Sequence, residues 1–313
     1  MRSTCRSWRA LLVLLALAAP ARPQTPPTVI EAGHAGGTSA LAVSADGRWV
    51  ASGGVDSVVS LWGLPAGEKV RSFQGAELRI HDLAFSSDGA LLVAYDGRSR
   101  TSVWETATGN LVRRFETQNA AKDTFVFVPG GTLLLTGHVD GLLAFWDWGT
   151  GQQTERSLTL GKLVKHLALS SDGATLAIAE RDGTVALRQV ATDKELRRLP
   201  SDTRVDVLAF APGDALLAAK YDSRVVVWDV ASGEARARLE CARGRGLAFL
   251  PDGESLLTVG PGNRLVQHEA SSGKELRSWA GPERLVLSLV VTPDGSRAVL
   301  GDLAGRVWIQ PLR

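Results

Sequence analysis

The sequence predicts an all-β protein: a closed ring of seven small sheets with four antiparallel strands each. Three observations predict it. First, a turn phrase recurs with a period of about 40 residues, a spacing that marks repeat architectures. It stands at Ser44-Ala45-Asp46-Gly47, Ser86-Ser87-Asp88-Gly89, Val128-Pro129-Gly130-Gly131, Ser170-Ser171-Asp172-Gly173, Ala211-Pro212-Gly213-Asp214, Leu250-Pro251-Asp252-Gly253 and Thr292-Pro293-Asp294-Gly295. Second, short β-branched and aromatic runs flank each phrase and end in further turns. Third, no stretch keeps apolar residues at the helical period over three turns.

The elements follow in chain order. Residues 1–21 read as a secretory signal peptide. Arg2, Arg6 and Arg9 make a positive start, Ala10 to Ala19 is apolar, and Ala16-Leu17-Ala18 and Ala19-Pro20-Ala21 both fit small-x-small cleavage sites. The run is too short to span a bilayer comfortably, so no membrane span is expected once it is removed. A periplasmic or secreted location in a bacterium follows as an expectation. Residues 22–27 form a Pro-rich linker. Residues 28–313 form the repeats, with approximate limits 34–75, 76–117, 118–160, 161–200, 201–240, 241–280 and 281–313 plus 28–33.

One repeat shows the local physics. Val205 to Phe210 is a short apolar strand, and Pro212-Gly213-Asp214 turns the chain. Ala215 to Ala219 is a second strand, and Tyr221-Asp222-Ser223 turns again. Arg224 to Val230 is a β-branched and aromatic third strand. Ala231 to Glu234 turns, and Ala235 to Leu239 is a fourth strand. Such a sheet has two apolar faces and cannot bury both alone. Stacking the sheets radially buries them against one another, which makes a β-propeller.

The third strands carry Leu61-Trp62-Gly63, Val103-Trp104-Glu105, Phe145-Trp146-Asp147, Val227-Trp228-Asp229 and Val307-Trp308-Ile309. These tryptophans, in phase with the turns, resemble the WD-repeat family over residues from about 28 to 313. Gly33-His34 matches the family's Gly-His pair, and Ser52, Asp56 and Trp62 fall where its polar network lies. The resemblance implies a structural hydrogen-bond chain, Asp56 to His34 to Ser52 to Trp62. In the fourth repeat Arg188-Gln189, and in the sixth Gln267-His268, stand where Trp-Asp is expected. Gly137-His138 falls at the end of a second strand, out of phase. The repeats without a Gly-His pair are expected to rely on apolar packing.

The last repeat ends one strand short at Arg313. Thr28 to Ala32 has strand character and is expected to supply the missing outer strand, closing the ring. Outer strands repeat a basic-apolar pattern, as in Val112-Arg113-Arg114-Phe115 and Leu196-Arg197-Arg198-Leu199. Charged outer edges of this kind guard against edge-to-edge pairing.

Composition narrows the function. With net charge +2 and no long like-charge run, nucleic acid is not an expected partner. Cys5 and Cys241 are the only cysteines, and Cys241 has no base or orienting group near it in sequence. No phosphate loop, nucleophile elbow, His-x-x-x-His pair or CxxC element occurs, so no catalytic residue, metal or cofactor is assigned.

Loops on a rigid scaffold are where recognition sits. By the family arrangement, one end of the ring collects Arg79, His81, Lys122, Lys165, His166, Arg204, Tyr221, Arg243, Arg245 and Arg284. The leading expectation is a monomeric, non-catalytic scaffold that displays this end to a protein or peptide of acidic character. The alternative is a propeller enzyme, a lactonase-like hydrolase with a metal in the channel, for which His81, Asp123, His166 and Asp206 enter at equivalent places. A TolB-like propeller also uses Asp-Gly hairpins, and the tryptophans in phase argue against it.

Overall fold

The computed structural model describes residues 25–31, 33–96, 100–116, 124–128, 132–138, 140–200 and 204–313. They form seven separate four-stranded antiparallel sheets. Each sheet is a meander of strands a to d, as in Thr38–Val43, Trp49–Gly54, Val59–Gly63 and Lys69–Phe73 of blade 1. The a strands of successive blades touch one another around a closed circle and so line the axis. The last blade takes Thr28–Ile30 as its d strand. Val29 pairs with Trp308 and Ile30 with Val307, which joins the two ends of the ring. Ala32, the last residue of the expected strand, lies outside the described residues. Among the described residues no helix is long and apolar enough to cross a membrane.

Burial explains the stacking. Each blade–blade interface holds its own apolar cluster. Trp104 sits between blades 1 and 2, Trp146 between 2 and 3, and Trp228 between 4 and 5. Trp62 packs on Val299, Val307 and Ile309 where blade 7 meets blade 1.

The recurring turn phrase is a local hydrogen-bond device. The hydroxyls of Ser44, Ser86, Ser170 and Thr292 each donate to the Asp two residues on, at 2.6 Å. That Asp accepts the backbone N–H two residues further, at 2.8–3.0 Å. The following Gly has φ between 65° and 72° in these four copies, where a Cβ would be strained. The fifth blade departs from this: Asp214 accepts from Ser171 N and Oγ of the preceding blade, at 2.8 and 2.6 Å.

Blade 1 contains the polar chain. Trp62 Nε1 donates to Ser52 Oγ at 2.7 Å, Ser52 lies 2.7 Å from His34 Nε2, and His34 Nδ1 lies 3.1 Å from Asp56. Indole can only donate and carboxylate only accepts. The imidazole therefore carries its proton on Nδ1, and Ser52 donates to Nε2. Gly54 leaves the room: a Cβ there would strike the His34 ring.

The other blades correct the sequence expectation in two ways. They do not rely on apolar packing alone. Register places Asp96, His138, Glu180, Tyr221 and Asp302 at the position of Gly54, and all five are buried. In blade 3 the hydroxyl of Thr136 accepts from Trp146 Nε1 at 3.0 Å and meets His138 Nε2 at 2.8 Å. In blade 6 His268 itself takes the Trp position and meets Thr258 at 3.0 Å. In blade 4 Glu180 binds Lys162 and Arg198. The second correction concerns Trp308. Ala298 pairs with Gln310 as Val50 pairs with Trp62, so Gln310 holds the Trp position and Trp308 stands two residues early. It donates instead to Asp302, at 3.3 Å.

The outer arginines do more than charge an edge. Arg71 and Arg113 lie against Gly109 and Gly151 of the next blade. Arg197 donates to Ala231 O at 2.6 Å, and Arg277 to Leu312 O at 3.2 Å, again one blade on.

Candidate functional site

The site grows from an irregularity at the start of the inner strands. In five blades the a–b ladder slips by one residue there, at Thr38/Ala40, Ile80/Asp82, Val164/His166, Val205/Val207 and Val286/Ser288. The extra residues are Ser39, His81, Lys165, Asp206 and Leu287. A bulge of this kind re-aims side chains, and all five line the central channel. The channel holds a cavity of about 490 Å³ at the end of the ring where the d–a loops enter.

Its wall is divided. Blades 7 and 1 present Ser39, Ala40, Leu41 and Leu287 to Val290, all uncharged. The charged groups come from blades 2, 4, 5 and 6: Arg79, Asp82, Lys165, Arg204, Asp206 and Arg245. Four cations against two carboxylates leave the described lining two charges positive with the imidazoles neutral. Asp206 pairs with Arg204 at 3.3 Å. Among the described residues neither Arg79 nor Arg245 is held in a salt bridge.

Desolvation by the channel wall shifts its titrating groups. Burial pushes the Asp82 carboxyl up to about 6, against the backbone N–H of Leu83 and the nearby Arg245. Burial, then Arg245, Arg204 and Lys165, push His166 down to about 3. Arg245 is exposed as a residue, yet desolvation by the channel wall lowers its guanidinium below the usual range; Asp82 and Asp206 oppose this, while Arg79 and Arg204 add to it.

Of the residues read from the sequence, Arg79, His81, Lys165, His166, Arg204 and Arg245 come together around this cavity. Arg243 and Arg284 are exposed, do not line the channel, and Arg243 pairs with Asp222 at 3.3 Å. Lys122 and Asp123 lie outside the described residues. Tyr221 is corrected: it is 3% exposed and packs edge-on against Trp228 in the blade interior, so it offers nothing to a partner. Asp82 was missed by sequence reasoning. For the hydrolase alternative, His81, His166 and Asp206 share the channel wall, but among the described residues no three His, Cys, Asp or Glu side chains are placed to hold a metal ion.

A second polar centre was also missed. Lys220 is 0% exposed, and its Nζ donates to Asp222 O at 2.9 Å, Ala242 O at 2.8 Å and Cys241 Sγ at 2.9 Å. Burial raises the Cys241 thiol above its ordinary value although Lys220 pulls it down, so the sulfur is a thiol that accepts a hydrogen bond. Lys220→Met keeps the volume and strands two carbonyls. The expected loss is about 1–2 kcal/mol, because relief of the buried charge offsets part of the cost. A urea midpoint measures it, and an unchanged midpoint would remove Lys220 from the stabilising groups.

The family model described as WD domain, G-beta repeat matches residues 25–63 and 67–104. An uncharacterized WD repeat-containing protein of Synechocystis, sll1491, is 31% identical over 149 residues, which cover 45% of this chain and 42% of that protein. Coronin-7 of Bos taurus is 33% identical over 125 residues, 36% of this chain and 14% of that protein. The chain thus spans less than half the length of either relative.

Proposed function

The chain belongs to the WD-repeat β-propellers, and we propose that it is a non-catalytic scaffold that binds a protein or peptide of acidic character at the channel end of the ring. WD-repeat propellers generally serve as protein-interaction scaffolds. The observation that carries the acidic partner is the positive surplus at that end, from Arg79, Lys165, Arg204 and Arg245, with exposed Arg243 and Arg284 beside it. A field of one sign steers partners of the other and selects among them. The arginine start and apolar run of residues 1–21 support export, so the partner is sought in the cell envelope or medium.

The test is a pull-down from envelope extract with the purified protein as bait. The control bait carries Arg79→Glu, Arg204→Glu, Arg243→Glu and Arg245→Glu. A protein retained by the native bait and lost with the control is the expected result. No specific protein, together with stoichiometric metal in the purified bait, would overturn the scaffold in favour of the hydrolase.

A further inference from the structure

We propose that the central channel is itself a binding site for a compact polyanion, whose charges are met by Arg79, Lys165, Arg204 and Arg245 from four different blades. This does not depend on a protein partner at the rim. The cavity, at about 490 Å³, is in the size range of small-ligand sites. Its cations do not sit together as one patch. They approach from blades 2, 4, 5 and 6, so a ligand must carry more than one charge to engage them together. A monovalent ion would meet one or two and leave the others crowded.

The balance of charge points the same way. Asp206 occupies Arg204, whereas Arg79 and Arg245 are in no salt bridge among the described residues. Arg79, Arg204 and Arg245 are exposed to solvent, and like charges converging on one cavity repel one another. Desolvation is the main cause of the depressed Arg245 guanidinium and Asp82 and Asp206 oppose it, while Arg79 and Arg204 add their repulsion. A polyanion relieves it. The opposite wall, from blades 7 and 1, carries no acid to repel such a ligand. Asp82 is the group that opposes binding: it projects into the same cavity and weakens the field of Arg245.

Two kinds of compact polyanion share this chemistry, phosphates and polycarboxylates. Calorimetric titration of the purified protein with pyrophosphate and, separately, with citrate distinguishes them, each against sodium chloride of matched ionic strength at pH 7.5. The expected result is saturable one-to-one binding of at least one probe, absent with chloride. Arg79→Gln and Arg245→Gln should each weaken it about tenfold, the loss of one charge-assisted contact. Asp82→Asn should tighten it by several-fold, which no purely structural role would produce. Arg48→Gln, in an a–b turn outside the channel lining, should leave it unchanged. Binding of pyrophosphate alone assigns a phosphate-type ligand, and of citrate alone a carboxylate-type one. No binding by either probe, a response equal to chloride, or weaker binding by Asp82→Asn overturns the proposal. A missing protein partner in the pull-down would leave it standing.

Discussion

Replacing Ser52 by Ala is expected to lower the unfolding free energy by about 3 kcal/mol, since two buried polar groups then lose their partner. Ser52 is fully buried. Its hydroxyl is the joint of the blade 1 chain, accepting from Trp62 and donating to His34. Alanine leaves an indole N–H and an imidazole lone pair without their shared partner. Threonine should restore most of the loss, because Thr136 and Thr258 hold the same position in blades 3 and 6 and bond His138 and His268. Trp62→Phe removes the donor along with the need for it, and should cost less than Ser52→Ala for this bond. Urea midpoints of the variants measure the effect. If Ser52→Ala lay within about 0.5 kcal/mol of the native protein, the range of a neutral surface change, the chain would be packing without polar consequence.

The comparison of Ser52 with Thr136 and Thr258 shows what sequence could and could not reveal. The turn phrase was legible because its chemistry is local: hydroxyl, Asp and Gly act within five residues. Ring closure was legible because strands can be counted, and Thr28–Ile30 was the one left over. Trp308 was misread for the opposite reason. Its phase depends on register with Ala298 and its neighbours, and the residue type alone suggested a position that Gln310 occupies. Asp96, Glu180 and Asp302 went unnoticed and His138 read as out of phase, because they stand at the end of the second strand, where a strand pattern predicts nothing special. Asp82 was missed because neighbours in a regular strand point to opposite faces. Only the bulge brings His81 and Asp82 to one cavity. Lys220 was missed because its three acceptors come from two separate loops.

The channel groups should give the protein a pH response in which two large effects oppose each other. Asp82 titrates near 3.8 when unfolded and about 6 when folded. Its contribution is therefore full below 3.8 and lost as pH rises through about 6. Above that, the folded protein carries a costly carboxylate, and Asp82→Asn should stabilise it at pH 7.5 by about 2 kcal/mol, a shift of roughly two units at about 1.4 kcal/mol each, trimmed because channel water screens the charge. His166 runs the other way. It titrates near 6.5 when unfolded and about 3 when folded, so its contribution is full above 6.5 and lost as pH falls. His166→Gln should stabilise the protein at pH 4.5 by about 2 kcal/mol and change little at pH 7.5 for this reason. Between pH 4 and 6 the two slopes nearly cancel in the native protein. Each single substitution exposes the slope of the other group: Asp82→Asn leaves stability rising with pH, and His166→Gln leaves it falling. The double variant should be flat again, at a higher level. Urea midpoints at pH 4.5, 6 and 7.5 decide it. Single variants that both run parallel to the native curve would mean that neither group is held away from its ordinary titration. That result would mean that the channel wall does not desolvate Asp82 and His166.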